Sequence, residues 1–290
     1  MSQILTLIIF YFLILFSILG YGRIVTIFNS NYQASSFDGL IGISILILIS
    51  FITNIFFPHN FIHNSIIILS GLFFFIFDLK NNYSNRLKEI KLILLIFSII
   101  FIGVLLHKNH DDFFYYHFPY SIILTNFEKI FGLGNLNHGF RTPSSIFYLN
   151  SLFYFPYIEY YLYHISVILI MGFSNIILIS NIKNHLEKEK KDQFFFLNFL
   201  TFIFINIFFY RIAEHGTDRS AQILIFLFLI YILSLRGNYQ NFGNILPKLI
   251  ILLGIIISIK SFYVLYLIFL IPFIYYFFLD KKKKFDTKNF

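Results

Sequence analysis

The chain has 290 residues, 58% of them hydrophobic and 12% charged, about half the charged share of an ordinary soluble domain. Its net charge of +8 comes from Lys and Arg placed mostly in short links between apolar runs. That is an orienting pattern for a membrane protein and not a nucleic-acid footprint, so no nucleic-acid partner is expected. The absence of cysteine excludes disulfides, thiolate chemistry and cysteine metal sites, and leaves the redox compartment open.

The expected fold is all-α, a polytopic helical membrane protein. Nine apolar segments run over residues 3–22, 39–57, 61–78, 91–107, 160–181, 194–210, 220–235, 245–259 and 261–279. Most approach the length of about 20 residues that crosses the hydrocarbon layer. The first lacks a basic leader and a small-residue cleavage site, so it reads as a mature helix rather than a signal peptide. The last two are separated only at Lys260-Ser261, and one long tilted or broken helix is the alternative there. With 43 Phe and 20 Tyr, no single aromatic residue is read as a recognition group.

Charge orients the chain. If residues 107–160 lie outside, only six of the 22 Lys and Arg are outside: Lys108, Lys129, Arg141, Arg211, Arg219 and Lys260. The remainder fall inside, which places the N-terminus outside and the C-terminus in the cytoplasm of a multi-pass cytoplasmic (inner) membrane protein. Residues 1–90 then form three N-terminal helices, 91–279 the main membrane module, and 280–290 a basic tail. Within that tail, Lys281–Lys284 favours anionic lipid.

The link 107–160 is too long for a turn and too apolar for a solvated domain. Residues 117–131 place Phe118, Ile122, Ile123, Phe127, Ile130 and Phe131 on one face, the pattern of an interfacial helix. Gly132 to Gly139 breaks it with turn residues. Thr142-Pro143-Ser144-Ser145 starts a second interfacial helix that runs to Tyr154. The link 183–193 reads as a solvated cytoplasmic turn. No internal repeat or inverted symmetry of the transporter kind is evident.

The outside links hold most of the chemistry. At the end of the fourth segment stand His110, Asp111, Asp112 and His117; between the sixth and seventh stand Glu214, His215, Asp218 and Arg219; between the eighth and ninth stands Lys260. His138 and Arg141 lie in the long link. A carboxylate can take a proton from an acceptor hydroxyl, and Arg, Lys and His can bind a phosphate leaving group. Each has a plainer reading. The aspartates are then ordinary loop polars, Tyr115 and Tyr116 belt aromatics, and His117 the start of a helix. Glu214 to Arg219 become an ion-pair knot, Lys260 snorkels, and His138 and Arg141 shape the loop. His110, Asp111, Asp112 and His117 are also a candidate divalent-cation site, although their spacing matches no characteristic ligand pattern. No other cofactor is implied.

An acidic pair just after a membrane helix, Asp111-Asp112, is followed by the stretches 117–131 and 144–155, a later polar link Glu214-His215-Gly216-Thr217-Asp218-Arg219, and a Lys between two helices, Lys260. This order resembles the GT-C class of membrane glycosyltransferases. More narrowly, DDFFYYHFPY, GLGNLNHGFRTPSSIFYLNSLFY and RIAEHGTDRSAQIL resemble a group of bacterial membrane proteins thought to be GT-C-like. The resemblance implies a polyprenyl-phosphate-linked sugar donor, a lipid or glycan acceptor and an inverting transfer on the outer face. It makes Asp112 the base, with Asp111 supporting it or exchanging roles. Arg219, Lys260 and Arg141 would bind donor phosphate, with Glu214 and His215 orienting sugar or acceptor. The chain departs from the class in having three helices before the expected first helix, and in ending soon after the ninth. The alternatives are a transporter or flippase of lipid-linked glycan, an O-antigen-type polymerase, and an inactive fragment of a larger protein.

Overall fold

A computed structural model describes residues 3–28, 36–105, 109–156, 158, 160–189, 191–235, 242–272 and 275. His107, the last residues of the ninth expected segment and the Lys281–Lys284 run lie outside them. The described residues form helices α1 (Gln3–Phe28), α2 (Asp38–Thr53), α3 (Phe61–Leu105), α4 (Phe118–Asn126), α5 (Ser145–Leu152), α6 (Ile165–Glu187), α7 (Gln193–Phe208), α8 (Gly216–Ser234) and α9 (Phe242–Ile259). A 3-10 segment, Ser261–Leu270, follows. No strand occurs among the described residues.

Four helices are long and apolar enough to cross a membrane: Gln3–Ile24, Phe61–Tyr83, Leu162–Glu187 and Gly216–Ser234. Four shorter apolar helices accompany them, over Asp38–Thr53, Gln193–Phe208, Gly243–Ile259 and Ser261–Leu270. Their outer faces are apolar. Along α3, Ile62, Ile66, Leu69, Phe73 and Ile76 recur every three or four residues and are 59–69% exposed. Such a ridge is costly in water and neutral against hydrocarbon.

Helix α3 breaks at Asn82, where φ is −131° and ψ 28°. Its two arms reverse about α1. Tyr11 meets Phe97 and Phe101 of the second arm, Phe16 stacks on Phe75 of the first, and Arg23 reaches both Asp78 and Glu89. Small residues let the backbones touch. A Cβ on Gly20 would lie 1.9 Å from the Gly71 carbonyl oxygen, and one on Gly42 would lie 2.0 Å from that of Ile18.

At the closed end of this reversal the interior carries charge. Arg23, with no exposed surface, lies 3.8 Å from Asp38, 3.4 Å from Asp78 and 3.1 Å from Glu89. Arg86 binds Asp78 through Nε at 3.0 Å and Nη2 at 3.1 Å. Sequence reading takes Arg23 and Arg86 only as orienting charges. Folded, they become the counter-ions of three carboxylates from α2 and α3.

The opposite end is built from the links 54–60, 109–164, 209–215 and Lys260. The long link is docked to the bundle. His59 N donates to Leu124 O at 2.9 Å, Lys129 N donates to Asn54 O at 2.8 Å, and Asn64 Nδ2 donates to Ser151 O at 2.8 Å. Two expectations change here. Residues 117–131 are helical only to Asn126, because Phe127 turns extended and the Lys129 N–H goes to Asn54 rather than along the helix. The helix begun by Ser144, whose side chain accepts from Ile146 N, is not on a surface: all eight residues of α5 are buried. It bonds to α6 through Ser166 Oγ and Asn150 Oδ1 (2.5 Å), and to α9 through Ser258 Oγ and Ser145 Oγ (3.0 Å). The choice at Lys260 also resolves. Its backbone is extended (φ −148°, ψ 111°) and the chain resumes as a 3-10 segment, so the helix is broken.

Candidate functional site

Three links meet at this end. His110 N donates to Ala213 O at 3.3 Å, tying the fourth segment's end to the turn before α8. The chain then winds through a π turn, Phe113–His117, in which both Tyr116 N and His117 N donate to Asp112 O, at 3.0 and 3.4 Å. Wide turns of this kind recur at functional sites because they re-aim consecutive side chains. Here Tyr116 turns toward Asp112 and His117 toward His110, both of which precede the turn. Tyr116 Oη donates to Asp112 Oδ2 at 3.4 Å, and the His110 and His117 rings stack 5.3 Å apart at 19°. Asp112 N donates to His110 Nδ1 at 3.1 Å, and that nitrogen is 3.8 Å from Asp112 Oδ2.

Helix α8 closes the site from the other side. Gly216 has φ +52°, a left-handed conformation that suits glycine. A Cβ there would come within 3.1 Å of His117 Cε1 and 3.3 Å of His110 Cδ2. Two residues on, Asp218 forms an ion pair with Lys260, and its charge acts on both Tyr116 and His117. Thus the π turn, the start of α8 and the break after α9 bring together His110, Asp112, His117, Asp218 and Lys260.

Electrostatics fix the protonation of the inner groups. Burial, with the Asp112 and Asp218 carboxylates beside it, pushes the Tyr116 hydroxyl up to about 12, so it remains a donor to Asp112. Burial and the neighbouring His110 lower His117 to about 3, which keeps its imidazole neutral.

The other expected residues are placed differently. Asp111 is exposed at the rim. Glu214 lies 3.5 Å from Arg211 and 3.5 Å from Arg219, forming an ion-pair knot within its own link. His215 is not presented to a ligand. It is 1% exposed, and its Nε2–H donates to Phe209 O at 2.6 Å, holding the turn. Arg141 lies in a neighbouring compartment. With Lys129 it lines a cavity of about 510 Å³ walled by Phe51, Tyr120, Phe140 and Tyr148. Phe147 packs on Tyr116 and His117 on one side and on Tyr120 on the other, so an aromatic layer separates that cavity from the His–Asp cluster. His138 is exposed, and its neighbour Gly139 lies against the Tyr116 ring: a Cβ there would meet it at 2.5 Å.

Two participants are not singled out by sequence reading. Tyr116 passes for a belt aromatic in a chain so rich in tyrosine, yet its position four residues after Asp112 is the spacing that lets the two meet in a helical turn. Gly216 stands alone among polar residues at a helix start, the one local sign that a backbone approaches something closely.

Buried neutral histidines make the protein acid-sensitive. Besides His117, burial lowers His59 to about 3 and His215 to about 4. His59 Nε2–H donates to Ser50 O at 3.1 Å, and its Nδ1 lies 2.6 Å from the Ser151 hydroxyl oxygen. Above a pH of about 6.5, the ordinary histidine value, these groups are neutral in both folded and unfolded chains. Below it the unfolded chain binds protons that the folded one refuses, so stability falls progressively toward the folded values. Thermal unfolding in detergent is expected to show a midpoint that drops from pH 7 to pH 5, with a smaller drop in His59→Gln. A midpoint unchanged over that interval contradicts this account.

A family model described as a domain of unknown function, DUF8201, matches residues 1–289. No curated protein and no solved structure matches the chain. The chain belongs to the DUF8201 family.

Proposed function

We propose that this DUF8201 member is a membrane glycosyltransferase of the GT-C kind, moving a sugar from a polyprenyl-phosphate donor to a lipid or glycan acceptor at the outer side of a bacterial cytoplasmic membrane. The observation that carries the reading is the meeting of Asp112–Tyr116 and Asp218–Lys260, from links far apart in sequence, at one end of an apolar helical bundle. The span-length helices and outward apolar ridges support placing that bundle in a bilayer. The distribution of Lys and Arg supports nine crossings, with residues 107–160 and the N-terminus outside and the C-terminus in the cytoplasm.

In this mechanism a carboxylate of the Asp111–Asp112 pair takes the proton of the acceptor hydroxyl as the acceptor oxygen bonds to the anomeric carbon. The bond from that carbon to the phosphate oxygen breaks, and the polyprenyl phosphate leaves with the electron pair. A single displacement of this kind inverts the anomeric centre. Lys260 and Arg219, with side chains 42% and 38% exposed, would hold the phosphate charge, Arg219 from its pair with Glu214. Lysine has three N–H donors, so pairing with Asp218 leaves others for the phosphate. Tyr116 holds Asp112 in place. Lys129 and Arg141 offer a second cationic patch for the lipid-phosphate headgroup.

A second reading, a flippase of lipid-linked glycan, is favoured by the ionised network buried around Arg23. Purified chain in liposomes carrying a polyprenyl-phosphate sugar distinguishes the two. Transfer predicts a covalent product, and Lys260→Met is expected to lower turnover roughly ten- to hundredfold, from about 1.5–3 kcal/mol for a charged hydrogen bond. Passage of the lipid-linked sugar across the bilayer with no covalent product would replace transfer by flipping.

A further inference from the structure

We infer that His110, Asp112 and His117 bind one divalent first-row transition-metal ion of the zinc type. One ligand atom from each residue lies within 4.8 Å of the other two. Two imidazoles and a carboxylate are a ligand set suited to zinc and to its borderline neighbours, not to calcium or magnesium. Zinc holds such ligands at about 2.0–2.2 Å, which places them roughly 3.3 Å apart in a tetrahedron. Closing from the observed spacing needs side-chain rotation, for which the partly exposed Asp112 and His110 side chains, at 48% and 31%, have room.

An independent observation is the state of His117. It is 3% exposed, yet its Nε2 has no hydrogen-bond partner. A buried nitrogen left in that state is destabilising, and a metal ion ligated there removes the cost. The surroundings are arranged as an ion's outer shell is. Tyr116 donates to Asp112 and fixes one ligand; Phe147 packs on His117; the Gly216 backbone closes the side where the two rings stack. Asp218 adds a negative charge beside His117, offset by Lys260. Three protein ligands would leave a fourth position for a water or a substrate oxygen.

Binding of the ion stands on this geometry and is independent of the transfer reading; only its task depends on that reading. With Asp112 serving as ligand, the exposed Asp111 is the carboxylate left to accept the proton.

The test uses full-length chain purified in detergent without a histidine tag, stripped with a chelator, reloaded with zinc sulfate, gel-filtered and assayed for metal by mass spectrometry. One zinc per chain is expected. The zinc affinity is expected to fall at least about tenfold in His110→Ala and again in His117→Ala, the loss seen even for outer-shell partners of a metal. His138→Ala, at an exposed position outside the cluster, is expected to keep it. Because His117→Ala removes a buried side chain, the half-exposed His110 provides the variant that keeps its fold. Cobalt reloading adds a readout, a visible absorption band that disappears in His110→Ala. No stoichiometric zinc in the wild-type chain, or equal zinc in His110→Ala and the wild type, overturns the assignment. Neither outcome bears on whether sugar is transferred.

Discussion

Arg23→Leu is expected to destabilise the protein by about 3–5 kcal/mol, the cost of breaking a buried ion pair from one side. Arg23 has no exposed surface and faces Asp38, Asp78 and Glu89, which come from two helices and both arms of α3. Its loss leaves Asp78 and Glu89 with Arg86 and removes the Arg23 contact from Asp38. Asp38 is also fully buried, and among the ion pairs described here it has Arg23 as its counter-ion. Lysine is a poor replacement, because one ammonium cannot meet three carboxylates as a planar guanidinium does. Chemical unfolding in detergent measures the effect. Adding Asp38→Asn to Arg23→Leu is expected to restore part of the loss, since a buried carboxylate charge facing the lost guanidinium goes with it. A loss under 1 kcal/mol for the single variant would mean that solvent reaches this end of the bundle and screens it.

Asp112→Asn is expected to lower sugar transfer by about 10²–10⁴-fold, the range for removing a positioned general base. The amide keeps the side chain's shape and can still accept from Tyr116, so the loss should appear in turnover with little change in stability. Asp111→Asn is its companion, because either member of the pair can serve as base. Assaying both variants for zinc as well as product separates the carboxylate's two tasks: a metal ligand loses both, a base only the second. Unchanged turnover in both variants would sink the catalytic assignment.

The helical segments were legible in the chain because apolar runs of this length have few alternatives. Residues 3–22, 194–210 and 220–235 became α1, α7 and α8 with shifts of a few residues. Within the long link the helix start at Ser144 was legible from its capping residue. Its destination was not. α5 looks interfacial by pattern and is buried, because Asn150, Ser151 and Ser145 find partners on α6, His59 and α9 that no local pattern contains.

The same limit governs the site. His110, Asp112, His117, Asp218 and Lys260 were identifiable singly as ionisable groups in a chain with few of them. That these five converge, while Glu214 and Arg219 turn toward each other and His215 turns inward, was decided by the packing of α8 against the π turn. Arg23 is the sharpest case. In the sequence it is one basic residue at the end of an apolar run, with a meaning limited to orientation. Its three carboxylates lie 15 to 66 positions away. Composition and periodicity determined that this chain makes a bundle of apolar helices, since burial of apolar surface depends on local pattern. Which polar groups would share that interior depended on distances between segments, and only the tertiary structure set them.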